Sequence, residues 1–193
     1  MNDKIEIIVK AFSSSIKWNE WLSKNYAKFP NGIWLRLYKK DSGKKTISYD
    51  EALDEALCFG WIDSQKNKYD EISWIQKFSP RRSKSIWSKR NRARVEILIT
   101  EKRMHPSGLK EIENAQKDGR LNEAYDSPSN MEIPSDFLAI LRKDKTAYVF
   151  FKSLNKSNLY AIGWRLQTAK TPKTREKRIK FLLEMLKNQQ KLH

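Results

Sequence analysis

One cysteine, two histidines, six glycines and six prolines are all that this 193-residue chain spends on those residue types. A lone Cys58 excludes an intramolecular disulfide, and one thiol with only His105 and His193 leaves too few ligands for a structural zinc site. No run approaches the roughly 18 consecutive apolar residues of a membrane-spanning helix. The first thirty residues place Lys4, Lys10, Lys17, Lys24 and Lys28 where an export signal needs an uninterrupted apolar core. These absences point to an unexported, cytoplasmic protein with no integral membrane association, no metal and no cofactor. Internal repeats and low-complexity tracts are also missing.

Aromatic residues and positive charge are what the chain has in quantity. With 39% hydrophobic and 11% aromatic residues, seven of them tryptophan, it can bury a core of its own. The net charge is +16, which attracts polyanions and says nothing about fold. It is unevenly spread. Residues 1–65 are nearly balanced, 66–103 hold 12 basic and 4 acidic side chains, 110–140 hold 3 and 7, and 142–193 hold 14 and 3.

Local patterns divide the chain. Ile16, Trp18, Trp21, Leu22 and Tyr26 fall at helical spacing, with Ser15 as a cap, and the alternation over 33–38 predicts a strand. Ser48 and Glu51 form a capping box ahead of a helix that Gly60 is placed to end in the left-handed conformation. Residues 61–67 and 72–78 predict two more strands, so that an antiparallel sheet of about three strands is expected. A helix starts at Ser88, another at Pro106, and the polar stretch 126–130 reads as a linker. Helices follow over 134–142, 146–154, 158–169 and 172–188, the last with Thr171 as cap and Ile179, Leu182, Leu183 and Leu186 as its buried stripe. The expected class is α+β: an α+β domain over 1–126, a linker over 127–133 and a helical domain over 134–193.

Several runs taken together resemble a known family. Gly32-Ile33-Trp34-Leu35, the stretch 49–63 containing EALCFGWID, the stretch 78–91 reading FSPRRSKSIWSKRN, the stretch 108–125 with Asp118-Gly119-Arg120, and AKTPKTREKRI over 169–179 look like the bacteriocin-protection family described as YdeI/OmpD-associated. The resemblance spans about 18–186. It implies protection against bacteriocins or antimicrobial peptides and association with an outer-membrane porin, and it brings no reaction and no catalytic residues.

The basic loop at 78–91 carries the sharpest chemical signal. Arg81, Arg82, Lys84, Lys89 and Arg90 surround Trp87, and Ser88 is an expected helix N-cap with free amides behind it. Arginine forks beside a helix N-terminus suit phosphate or carboxylate, so Asp63, Arg81, Arg82, Trp87, Ser88 and Asn91 are expected to form an anion pocket. Alternatively Phe78 and Trp87 are core anchors at the ends of a solvated loop. Asp63 either forms a salt bridge with Arg81 or Arg82 or serves as a base, while the polar face holding Glu51, Asp54 and Glu55 reads as solvated. Cys58, near a helix C-terminus, reads as structural. Lys173, Arg175 and Arg178 on the last helix form a second basic surface. The reading that joins these is a non-enzymatic, stress- or antimicrobial-protective protein with an anionic ligand or polyanion as partner. A small hydrolase or transferase acting on an anionic metabolite and a non-specific nucleic-acid binder are the alternatives.

Overall fold

The computed structural model describes residues 7–193 and divides into two compact units, one holding the chain up to Trp87 with Asn91–Glu123, the other Ser88–Arg90 with Ala124–His193. The first unit is built on a four-stranded sheet in the order β1-β2-β4-β3, formed by β1 (Val9–Ala11), β2 (Ile33–Tyr38), β3 (Trp61–Lys68) and β4 (Ser73–Pro80). The expected strands are present, and the α+β class is as read. The sheet differs from the expectation in being mixed, because β1 pairs in parallel with β2 while β2 and β3 both run antiparallel to β4. Three residues are too few to show a period of two, so β1 left no signal. Strand β3 occupies the opposite edge, with a register shift between Asp63 and Lys66 in its pairing with β4.

Helices α1 (Ser15–Asn25) and α2 (Tyr49–Cys58) cover one face of this sheet. The capping box expected at Ser48 and Glu51 closes both ways, and the N-cap of α1 is Ser14, one residue before the expected Ser15. The core between these layers is aromatic. Trp18 and Trp21 stack at 5.3 Å, and Trp61 meets both edge-on at 6.3 and 6.2 Å, with Phe78 6.0 Å from Trp18. Each ring that is fully buried here contributes roughly 2 kcal/mol or more through removed apolar surface. Trp18 Nε1 donates to the Ala52 carbonyl at 3.1 Å, so its one polar atom is satisfied inside the core.

Of the face of α2 expected to be solvated, Glu51 is exposed, Asp54 is partly buried and Glu55 is buried. Glu55 is only 8% exposed and accepts hydrogen bonds from Asn19 at 2.6 Å and Arg103 at 2.7 Å. Arg94 adds a bond of 2.5 Å to Asp54 and another to Asp50. These arginines come from α3 (Lys89–Thr100) and the turn after it, and they tie that helix to α2 through charge-assisted bonds. Helix α4 (Pro106–Lys117) completes the unit.

The second unit is helical, with α5 (Ser135–Leu141), α6 (Lys145–Lys152), α7 (Lys156–Gln167) and α8 (Pro172–Lys187), each within two residues of its expected bounds. Phe137, Leu141, Phe151, Ile162, Leu166, Leu182, Met185 and Leu186 form its core. Of the stripe expected on α8, Leu182 and Leu186 are buried and Ile179 and Leu183 partly so.

Candidate functional site

The motifs that stand apart in the sequence converge at one end of the sheet. Helix α2 ends where Gly60 turns the chain at φ +76°, as expected, and β3 begins at once with buried Trp61. Across the ladder, Trp61 faces Pro80, and the Arg81 amide donates to the Gly60 carbonyl at 3.0 Å, which extends the pairing to the start of the basic loop. Helix α4 abuts the same turn. A Cβ on Gly108 would lie 2.2 Å from the Cys58 carbonyl oxygen, so only glycine allows this approach. The His105 amide donates to that same carbonyl at 3.0 Å, and Ser107 Oγ donates to the Phe59 carbonyl at 3.0 Å.

His105, which no motif singled out, is the N-cap of α4. Its Nδ1 accepts the Ser107 N–H at 3.2 Å, and the ring stacks on Phe59 at 4.7 Å. Its capping by a ring nitrogen could not be read from residue type, since Ser, Thr, Asn and Asp are the usual caps.

Between these elements lies a cleft of about 440 Å³, within the usual range for small-molecule sites. Tyr26, Pro30, Phe59 and Trp61 supply apolar wall, and Arg81, Arg82 and Lys110 supply cations. Glu111 also lines it, but its carboxylate accepts from Arg120 Nη1 at 2.9 Å. Arg120 is 5% exposed and anchors the basic loop from beneath: Nε donates to Asp118 at 2.7 Å and Nη1 to the Ser85 carbonyl at 3.0 Å. The Asp118-Gly119-Arg120 run is therefore a brace for the loop, a role that sequence spacing did not reveal.

The structure brings some of the expected pocket together and disperses the rest. Phe78 and Trp87 are both buried, at 0% and 1% exposure, as the loop-anchor alternative requires. The Arg81 guanidinium lies 3.5 Å over the Trp87 ring and donates to the Ile86 carbonyl at 3.3 Å. A ring so covered has no face left for a ligand, so Trp87 is a pedestal for Arg81. Arg82 is exposed and reaches the cleft; its backbone amide donates to Ser85 Oγ at 3.0 Å and its carbonyl accepts the Ser85 amide at 2.8 Å, while its guanidinium has no partner among the described residues. Asn91 is buried on α3, and Ser88 is buried and forms an isolated parallel bridge with Tyr125.

Asp63 departs furthest from expectation. It accepts the Tyr49 hydroxyl at 2.7 Å from α2 and pairs with neither Arg81 nor Arg82, nor does it line the cleft. Its ladder partner is Phe78, so it lies on the helix-covered side of the sheet, within reach of Tyr49 on α2. Burial and then the neighbouring Glu55 carboxylate push the Cys58 thiol up to about 12, which fits the structural role expected for it.

The second basic surface is also redistributed. Arg175 Nη2 donates to both Asp136 carboxylate oxygens, at 2.7 and 2.8 Å, Nε adds a bond of 3.2 Å to the same carboxylate, and Nη1 reaches the Leu166 carbonyl at 2.9 Å. Arg178 donates to the Arg165 carbonyl at 2.5 Å and to Thr168 Oγ1 at 3.0 Å. Both arginines hold α8 to neighbouring chain, and among the described residues only Lys173 of the expected trio keeps an unengaged head. Among the described residues no cluster of acidic, histidine or cysteine side chains could hold a metal ion, and no helix is long and apolar enough to cross a membrane.

Residues 10–111 match the family described as Domain of unknown function (DUF8412). Residues 130–189 match the family described as Bacteriocin-protection, YdeI or OmpD-Associated, which agrees with the resemblance over that stretch and leaves most of the motifs at 32–125 inside the other match. No curated protein and no solved structure matches the chain.

Proposed function

Because the chain belongs to the family described as Domain of unknown function (DUF8412), which brings no activity with it, we propose a function from the cleft itself: binding of a small organic anion, without chemistry, in a cytoplasmic protein of protective role. The observation that carries this reading is Arg82. Its guanidinium stands at a concave, ring-walled site with no side-chain partner among the described residues, beside Lys110 and the Trp87-supported Arg81. A fork held ready beside aromatic surface suits a carboxylate or phosphate joined to an apolar body. The hydrolase alternative needs a carboxylate beside the arginines. Asp63 is engaged elsewhere by Tyr49, and Glu111 is committed to Arg120. A protective role by direct capture of cationic peptides is disfavoured by like charge, since the chain itself carries +16.

Thermal denaturation with phenyl phosphate, benzoate and inorganic phosphate tests the proposal. Ligand at about 100 times its dissociation constant stabilises by roughly 2.7 kcal/mol, a rise of several degrees for a chain of this length. Arg82→Ala and Lys110→Ala should each reduce that rise while leaving the unliganded melting temperature in place. A rise that persists in both variants removes the cleft as the site.

A further inference from the structure

The second unit contains a larger cleft, of about 590 Å³, between α7 and α8 and lined by Trp164, Arg165, Lys173, Lys177, Arg178 and Phe181. Its composition is unusual for a helix pair. Phe181 leaves 54% of its surface exposed, one residue before Leu182, which is fully buried in the core. Trp164 stands half-buried opposite, held edge-on by Tyr125 at 6.2 Å. The two rings thus give the cleft an apolar, aromatic end open to solvent. The walls are fixed, because Arg178 joins the end of α7 to α8 through the Arg165 carbonyl and Thr168 Oγ1.

Charge is distributed along the same line. Lys173, Lys177 and Phe181 follow one another at four-residue spacing, which puts them on one helical face about 6 Å apart along the axis. The side chains of Lys173, Lys177 and Arg165 have no ion pair or hydrogen bond among the described residues, while the one nearby carboxylate of α5, Asp136, is occupied by Arg175. The groove is thus aromatic at one end and cationic at the other. An acidic peptide would satisfy the cations but has no flat group for the rings. A duplex would present phosphates but no unstacked base.

We propose that this cleft binds nucleotides, with a base stacked on Phe181 and Trp164 and its phosphate held by Lys173, Lys177 and Arg165. Base stacking on aromatic side chains combined with a cationic track is the general chemistry of single-strand recognition, and a free mononucleotide offers the same two groups. The site is separate from the cleft at Arg82, and either can fail without the other.

The test uses the full chain and fluorescence anisotropy with a short labelled oligothymidylate. Phe181→Ala should weaken binding by about tenfold through lost stacking. Lys173→Ala and Lys177→Ala should each lower the slope of log affinity against log salt by about 0.7, the value for one lost phosphate contact on a single strand. Phe181→Tyr should restore affinity, which a merely structural loss would not allow. Displacement of the strand by AMP identifies free nucleotides as the source of the ligand, and loss of strand binding in the variants without such displacement identifies single strands; both outcomes support the site. Three results overturn it: equal binding by wild type and the Phe181 and lysine variants, equal competition by a glutamate-rich peptide, or loss of strand binding in Arg82→Ala with Phe181→Ala unaffected.

Discussion

The basic loop of the first unit and the basic helix α8 of the second each divide their cations, some arginines being engaged by the fold while other heads line a cleft. In the first unit Arg120 braces the loop through two carboxylates and a carbonyl, and Arg81 covers Trp87, while Arg82 and Lys110 line open space. In the second, Arg175 and Arg178 lock α8 in place, while Lys173 and Lys177 line open space. The planar fork of arginine satisfies several fixed acceptors at once, whereas lysine is a mobile, strongly hydrated point charge. The difference separates charge that holds the fold from charge offered to a partner, and total charge does not.

Substitutions can break that separation or sharpen it. Arg120→Met should cost the most, about 3 kcal/mol, because it leaves Glu111 largely buried without its cation and frees the loop; chemical denaturation should show it, with a midpoint well below wild type. Arg81→Ala should cost about 1 to 2 kcal/mol through the lost cation–π contact and the uncovered Trp87 ring. Arg175→Ala should cost no more than about 0.5 kcal/mol, since Asp136 is half exposed.

That last effect depends on pH. The Arg175 hydrogen bonds hold the Asp136 carboxyl below its ordinary value, so the folded state keeps the carboxylate charged after the unfolded state has taken up a proton. The contribution is therefore complete above the ordinary aspartate value, near pH 4, and disappears as pH falls through the folded value. Melting curves of wild type and Arg175→Ala should converge under acid and separate toward neutrality. Smallest of all, Lys173→Ala and Arg82→Ala should shift stability by less than about 0.5 kcal/mol, as substitutions of presented charges do. A large loss in either would place that residue with the fixed set.

Periodicity made most of the fold legible. The alternation of 33–38, the capping box at Ser48 and the proline-led starts at Pro106 and Pro172 are local signals, and each produced the element it implied. What stayed hidden depends on partners distant in sequence. Nothing near Asp63 announces Tyr49, nothing near Glu55 announces Asn19 or Arg103, and the seating of Gly108 on Cys58 joins positions fifty residues apart. The candidate site was legible as a neighbourhood, since Arg81 and Arg82 do reach a cleft, but not as a set of roles. Composition can show that Trp87 is apolar; only packing shows that a guanidinium covers it.

The placement of β1 and β3 at the two margins of the sheet bears on how the protein behaves in crowded solution. A margin strand offers unpaired amides and carbonyls to any other chain, and long apolar margins template self-association. Here β1 is three residues long and carries Lys10, while β3 beyond its register shift presents Gln65, Lys66, Asn67 and Lys68 to solvent. Shortness, irregular pairing and repeated positive charge each discourage a second copy from adding its own strand. The lysines at these margins thus stand where they oppose strand addition by an identical molecule.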